Sequence, residues 1–204
     1  GRARAGRIGP LAAPGLGRYK TRMRQSLVRH PDSRCDAVTG IDVELVRTAG
    51  RLQFRYIVTG DISRVVIPEL SNTARADKLW QHTVFEAFIR TGAETYVEFN
   101  FSPSGRWAAY RFARYRGGVS NIMEVTDPGI GTREGDNRFD LAATLDLSTI
   151  PDLDAAAPWQ FAITTVIEET GGNLSYWSLA HGPGKPDFHH SDGFVLNVSG
   201  TEQT

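Results

Sequence analysis

From residue 38 onward, apolar and polar positions alternate along most of the chain. Ile41, Val43 and Leu45 alternate with polar neighbours, and so do Leu52, Phe54, Tyr56 and Val58. The stretches 62–67, 84–89, 96–101 and 107–112 follow, with Val97, Phe99 and Phe101 pointing one way. Phe139, Leu141, Ala143, Leu145 and Leu147 give the longest alternating run, and 161–167, 174–179 and 194–198 complete the series. A period of two predicts half-buried strands. Turn formers fill the gaps: Arg90-Thr91-Gly92, Ser102-Pro103-Ser104-Gly105, Asp127-Pro128-Gly129 and Gly171-Gly172-Asn173. No window supports an amphipathic helix of three turns, and 72–79 is expected to hold one short helical turn. About ten short strands without an internal boundary predict an all-β chain, an antiparallel β-sandwich of jelly-roll type, as a single domain over 35–204.

Composition narrows this picture. With 204 residues, 40% hydrophobic and 23% charged, the chain suits one soluble domain of ordinary size. No apolar run is long enough to span a membrane, so no membrane partner is expected. The single cysteine, Cys35, excludes an internal disulfide framework and any multi-cysteine zinc site. Net charge is zero, yet Arg2, Arg4, Arg7, Arg18, Lys20, Arg22, Arg24 and Arg29 precede the first acidic residue, Asp32. The body from Asp32 therefore carries a net charge of −8. An acidic body lacks the clustered cations that phosphate contacts need, so no nucleic-acid partner is expected. Residues 1–34 read as a disordered basic segment, rich in Gly, Arg, Ala and Pro at its start. Met23 is a second candidate start, so 1–22 need not be native. With one cysteine and no apolar signal core, the expected location is cytoplasmic.

Chemistry-bearing side chains concentrate in three segments, 79–89, 96–107 and 176–190. If Val97, Phe99 and Phe101 face the core, Tyr96, Glu98 and Asn100 share the opposite face. Glu86 sits mid-strand between apolar neighbours, where packing alone would not choose it. A face holding Glu86, Glu98, Asn100 and Tyr96 can hydrogen-bond vicinal hydroxyls, while nearby tryptophans can stack on a sugar ring. A solvated polar sheet face would use the same residue types. Trp159, Tyr110, Phe112 and Phe139 read as core, and Trp107 and Trp177 suit core or a ligand platform.

Trp80, five residues and Glu86, then Glu98-Phe-Asn100-Phe-Ser-Pro-Ser, then Tyr176-Trp177 through Lys185-Pro-Asp-Phe188-His-His to Phe194, resemble family 9 carbohydrate-binding modules and the related DOMON-like domains. The resemblance covers about residues 38–200 and implies a β-sandwich that binds a sugar between two aromatic side chains. It implies Trp80 and Phe188 as the clamp, with Glu86 and Asn100 as hydroxyl ligands. Glu98 stands where the family has an arginine, Thr164 where it has a glutamine and Phe188 where it has a tryptophan. His189 and His190 fall at the rim.

The expected function is therefore a small-ligand binding module, with a sugar or other polyhydroxylated molecule as partner and neither catalysis nor cofactor. Three alternatives remain. Related DOMON domains bind haem, and Met123 with His82, His181, His189 and His190 offers axial ligands. A metal held by His189 or His190 with His82, Asp187 or Asp192 would make a hydrolase, and Glu86 with Glu98 could form a glycosidase pair. Cys35 has no neighbour in sequence that would activate it.

Overall fold

The computed structural model describes residues 20–201. The alternating segments form strands because each one can place its apolar set on a single buried face. In chain order they are β1 (Thr21–Arg29), β2 (Val38–Arg47), β3 (Arg51–Gly60), β4 (Ala74–Arg75), β5 (Val84–Arg90), β6 (Tyr96–Phe101), β7 (Arg106–Phe112), β8 (Ser120–Asn121), β9 (Gly131–Gly135), β10 (Arg138–Asp146), β11 (Trp159–Glu168), β12 (Leu174–Ser178) and β13 (Leu196–Val198). The only helical pieces among the described residues are four single 3₁₀ turns.

The strands pair in the order β4-β7-β6-β5-β11-β12-β1-β2-β3-β10-β9, with β13 added to β11 and β8 to β7. β1 joins the two halves of this curled sheet: residues 21–27 pair with β2, and Val28 and Arg29 pair with β12. The halves meet across an aromatic core. Phe54 of β3 lies 5.9 Å from Phe101 of β6 and 6.4 Å from Phe161 of β11, and Tyr56 lies 5.0 Å from Phe85. Tyr56 also crosses the core to donate its hydroxyl to the Glu86 carbonyl at 2.8 Å.

The all-β class agrees with the alternation. The pairing is mixed rather than wholly antiparallel, because β4 runs parallel to β7. Three local expectations differ. The segment 21–29, expected within a disordered stretch, is a strand; Met23 and Leu27 pack inward while Arg22, Arg24 and Ser26 alternate with them on the exposed face. Residues 1–19 lie outside the described residues. The 62–67 run is a 3₁₀ turn followed by a bridge at Val65, because its apolar residues cap the sheet end instead of extending it. The segment 72–79 holds the short strand β4 and leads into the 3₁₀ turn Leu79–Gln81. No helix among the described residues is long and apolar enough to cross a membrane.

Candidate functional site

β5 turns Phe85, Ala87 and Ile89 into the core, so Glu86 and Phe88 emerge on the outer face. β6 buries Val97, Phe99 and Phe101 and presents Tyr96, Glu98 and Asn100 on that same face. The register lines these up in rows. Ala108, Asn100, Glu86, Thr164 and Ser178 are successive neighbours across β7, β6, β5, β11 and β12. Tyr110, Glu98, Phe88 and Ala162 form the next row. Small side chains thus flank the Glu86–Asn100 pair, and aromatic ones flank Glu98.

This polar cluster is the floor of the face, not a solvated surface. Glu86, Glu98 and Asn100 are 2%, 7% and 2% exposed. Thr164 donates its hydroxyl to Glu86 Oε2 at 3.0 Å. The Asn100 amide donates to Glu98 Oε1 at 2.8 Å. Asn100 Oδ1 is buried with no hydrogen-bond partner. Neither carboxylate has a lysine or arginine within ion-pair distance among the described residues; the nearest cationic candidate is His189, whose Nε2 lies 4.0 Å from Glu98 Oε2. Burial, reinforced by the charge of Glu98, pushes the Glu86 carboxyl well above the usual carboxylate range. Burial also raises Glu98, against the opposing pull of Asn100 and Arg116.

Residues 180–195 cross one side of the face. His189 sits edge-on among Phe88, Phe112 and Tyr96, with ring centroids 5.2, 5.1 and 5.8 Å away. The Tyr96 hydroxyl accepts the Arg116 N–H at 3.1 Å and lies 2.9 Å from His189 Nδ1. A Tyr96 O–H that donates to Nδ1 leaves the proton of the neutral ring on Nε2, toward Glu98. Burial and the nearby Arg116 lower His189 to about 4, so the ring is neutral at pH 7. Asp187 fastens the segment: its carboxylate takes the Tyr115 hydroxyl, the Arg116 guanidinium at 2.7 Å and the His189 N–H at 3.0 Å.

The structure brings Glu86, Glu98, Asn100 and His189 together. Phe188 is half-buried and packs edge-on to Tyr176 at 5.9 Å. Trp80, in the 3₁₀ turn before β5, is 55% exposed. His190 folds onto its own segment: its Nδ1 accepts the Asp192 N–H at 3.2 Å, and a Cβ on Gly182 would come within 2.5 Å of its ring. The other candidate ligands are scattered. His82 pairs with Glu168 at 2.8 Å, His181 Nε2 is bonded to the Val28 carbonyl at 2.8 Å, and Met123 is exposed. No group of three or more His, Cys, Asp or Glu suited to a metal occurs among the described residues. Cys35 is a free thiol packed against the core.

Trp107, Trp177, Trp159 and Phe139 are core, but Tyr110 and Phe112, expected there, belong to the outer face. Tyr110 donates its hydroxyl to Asp77 at 2.7 Å. Sequence reasoning missed Ser178, Ala108 and the Arg116–Asp187 link. No sequence pattern signals the link; in the structure Arg116 is a non-glycine at φ 49°.

No family model and no curated protein matches the chain. Solved structures do, and two of them are informative. One is a protein of Bacteroides uniformis described as a candidate carbohydrate-binding protein, with TM-score 0.60, 14% identity, and coverage of 87% of this chain and 85% of that one. The other is a family 9 carbohydrate-binding module of Caldicellulosiruptor kristjanssonii in complex with cellotriose, with TM-score 0.45, 12% identity, and coverage of 81% and 76%. At such identities the first likeness is one of fold.

Proposed function

We propose that this chain is a non-catalytic carbohydrate-binding module whose ligand lies on the outer face of β5, β6 and β11. The observation that carries this reading is Asn100 Oδ1, a buried acceptor with no donor, in a cluster with two buried carboxyls that each receive a single hydrogen bond. Leaving a buried acceptor unpaired costs about 1–3 kcal/mol. Such a cluster is suited to a partner rich in hydroxyl donors, and vicinal hydroxyls of a sugar supply them in pairs. Glu86 and Asn100 are the proposed hydroxyl ligands, with Glu98 a third. Trp80 and Phe188 are the proposed apolar flanks for the ring, with His189 and His190 at the rim. The fold shared with a candidate carbohydrate-binding protein supports the same reading.

A thermal-shift screen of mono- and disaccharides on the full chain, followed by calorimetry, tests it. Ligand-dependent stabilisation is expected, and Asn100→Ala should weaken it at least about tenfold. A folded wild-type chain that binds no saccharide at millimolar concentration would overturn the reading.

A further inference from the structure

We infer that the ligand carries a protonated amine beside its hydroxyls, so that the site selects an amino sugar over its neutral counterpart. The inference rests on the carbohydrate reading and concerns which sugar the site takes.

The other buried acids of this molecule have their partners within the fold. Asp140 is held between Arg55 Nη2 and Arg138 Nε, each at 2.7 Å. Glu169 takes the backbone N–H groups of Asp36 and Ala37, at 3.0 and 2.8 Å, and the Asn173 amide at 2.9 Å. Both are neutralised or fully hydrogen-bonded within the fold, as buried charges normally are. Glu86 and Glu98 are not. Glu86 receives one hydroxyl, from Thr164, and Glu98 one amide hydrogen, from Asn100. Arg116, which acts on Glu98 only through space, is committed to Asp187.

The third acceptor is independent of the acids. Asn100 stands opposite Glu86 in the register and two residues from Glu98 on one strand, so its unpartnered Oδ1 lies within the same cluster. The site therefore offers acceptors from three side chains and no resident cation. Hydroxyls alone would satisfy the hydrogen bonds but leave burial holding the acids toward their protonated forms, whereas a cation among them lets them ionise. A primary ammonium brings three donors and the missing charge in one group. Phe88, Tyr96 and Tyr110 border Glu98 on the same face, and aromatic faces attract a cation placed over them.

The test uses matched pairs on the full chain by calorimetry at fixed pH and salt: glucosamine against glucose, galactosamine against galactose, and each N-acetyl derivative. The expected result is that one amine binds at least about tenfold more tightly than its neutral partner. Its N-acetyl form, which keeps the ring but loses the charge, should lose that advantage. Glu98→Gln should remove most of the preference while the chain still melts cooperatively. Neutral sugars binding as tightly as the amines would overturn this inference and leave the carbohydrate reading standing. Binding of none of the saccharides by a folded chain would overturn both.

Discussion

Glu86 and Asn100 face each other directly across β5 and β6, yet the Asn100 amide turns along its own strand to Glu98 and leaves its carbonyl oxygen unpaired. An unpaired buried acceptor lowers the stability of the empty fold. This is the pattern expected where stability is traded for binding.

Glu86→Gln should change stability in a pH-dependent way. Burial first, and the Glu98 charge second, raise the Glu86 carboxyl to about 8. A carboxyl raised in the folded state favours folding while protonated, and that contribution is lost as pH climbs from the unfolded value of about 4.3 through the folded one. The Gln variant has no such loss. Its stability relative to wild type should grow steadily as pH rises from 5 to 8. Urea denaturation at both pH values measures this. An unchanged difference would mean that Glu86 is solvated or paired in solution. The same variant should bind saccharide more weakly.

His189 gives the opposite dependence. Its ring is lowered to about 4 by burial and by Arg116, with Asp187 acting the other way. Because the folded value lies below the unfolded one, about 6.5, its contribution is present above pH 6.5 and is lost as pH falls toward 4. Nitrogen chemical shifts should show one neutral tautomer, protonated on Nε2, down to about pH 5. Tyr96→Phe removes the hydroxyl that fixes Nδ1 as the acceptor, and should leave a mixture of tautomers. A ring that titrates near 6.5 in the wild type would show that residues 180–195 do not close over the face.

Much of the fold was legible because the core writes itself into a period of two. Val97, Phe99 and Phe101 announced one face of β6, and so placed Tyr96, Glu98 and Asn100 on the other. The same logic failed for β1, where the polar Gln25 holds the inward position between Met23 and Leu27 and the preceding residues are basic and Gly-rich. Tyr110 and Phe112 misled for another reason: an aromatic residue covered by a loop has the same sequence signature as one covered by a second sheet. The Arg116–Asp187 link joins residues 71 positions apart through two loops, and no periodicity encodes that. Likewise, alternation located Asn100 but could not reveal that its oxygen goes unpaired, because that depends on its neighbours in space.

The Arg47 guanidinium lies 3.3 Å over the Trp159 ring and is fully buried. It donates to the carbonyls of Val198 and Ser199, at 3.2 and 2.9 Å, and of Ala155 and Ala157, at 2.8 and 2.7 Å. These bonds tie β2, the 154–157 turn and the end of β13 together without a paired carboxylate, and burial lowers the group to about 10. Arg47→Met would leave several buried carbonyls without donors. A loss of about 3–5 kcal/mol is expected by chemical denaturation. Arg47→Lys should recover only part of it, because an ammonium cannot reproduce the planar fork. Saccharide affinity of the folded fraction should be unchanged, since the site lies on the outer face of β5 and β6.

Trp80 separates binding from folding most cleanly. It is exposed, it follows Lys78 at φ 60° in a 3₁₀ turn, and it precedes the strand that carries Glu86. An exposed tryptophan with little to bury in the empty fold contributes little to stability, so Trp80→Ala should shift unfolding by no more than about 0.5 kcal/mol. Stacked against a sugar ring, the same side chain would remove a large apolar area from water, and its loss should weaken binding about tenfold or more. Wild-type titrations should show a change in tryptophan fluorescence that the variant lacks, because Trp107, Trp159 and Trp177 are buried in the core. Equal affinity in a folded Trp80→Ala chain would remove Trp80 from the site and leave the buried acceptors of β5 and β6 to bind without it.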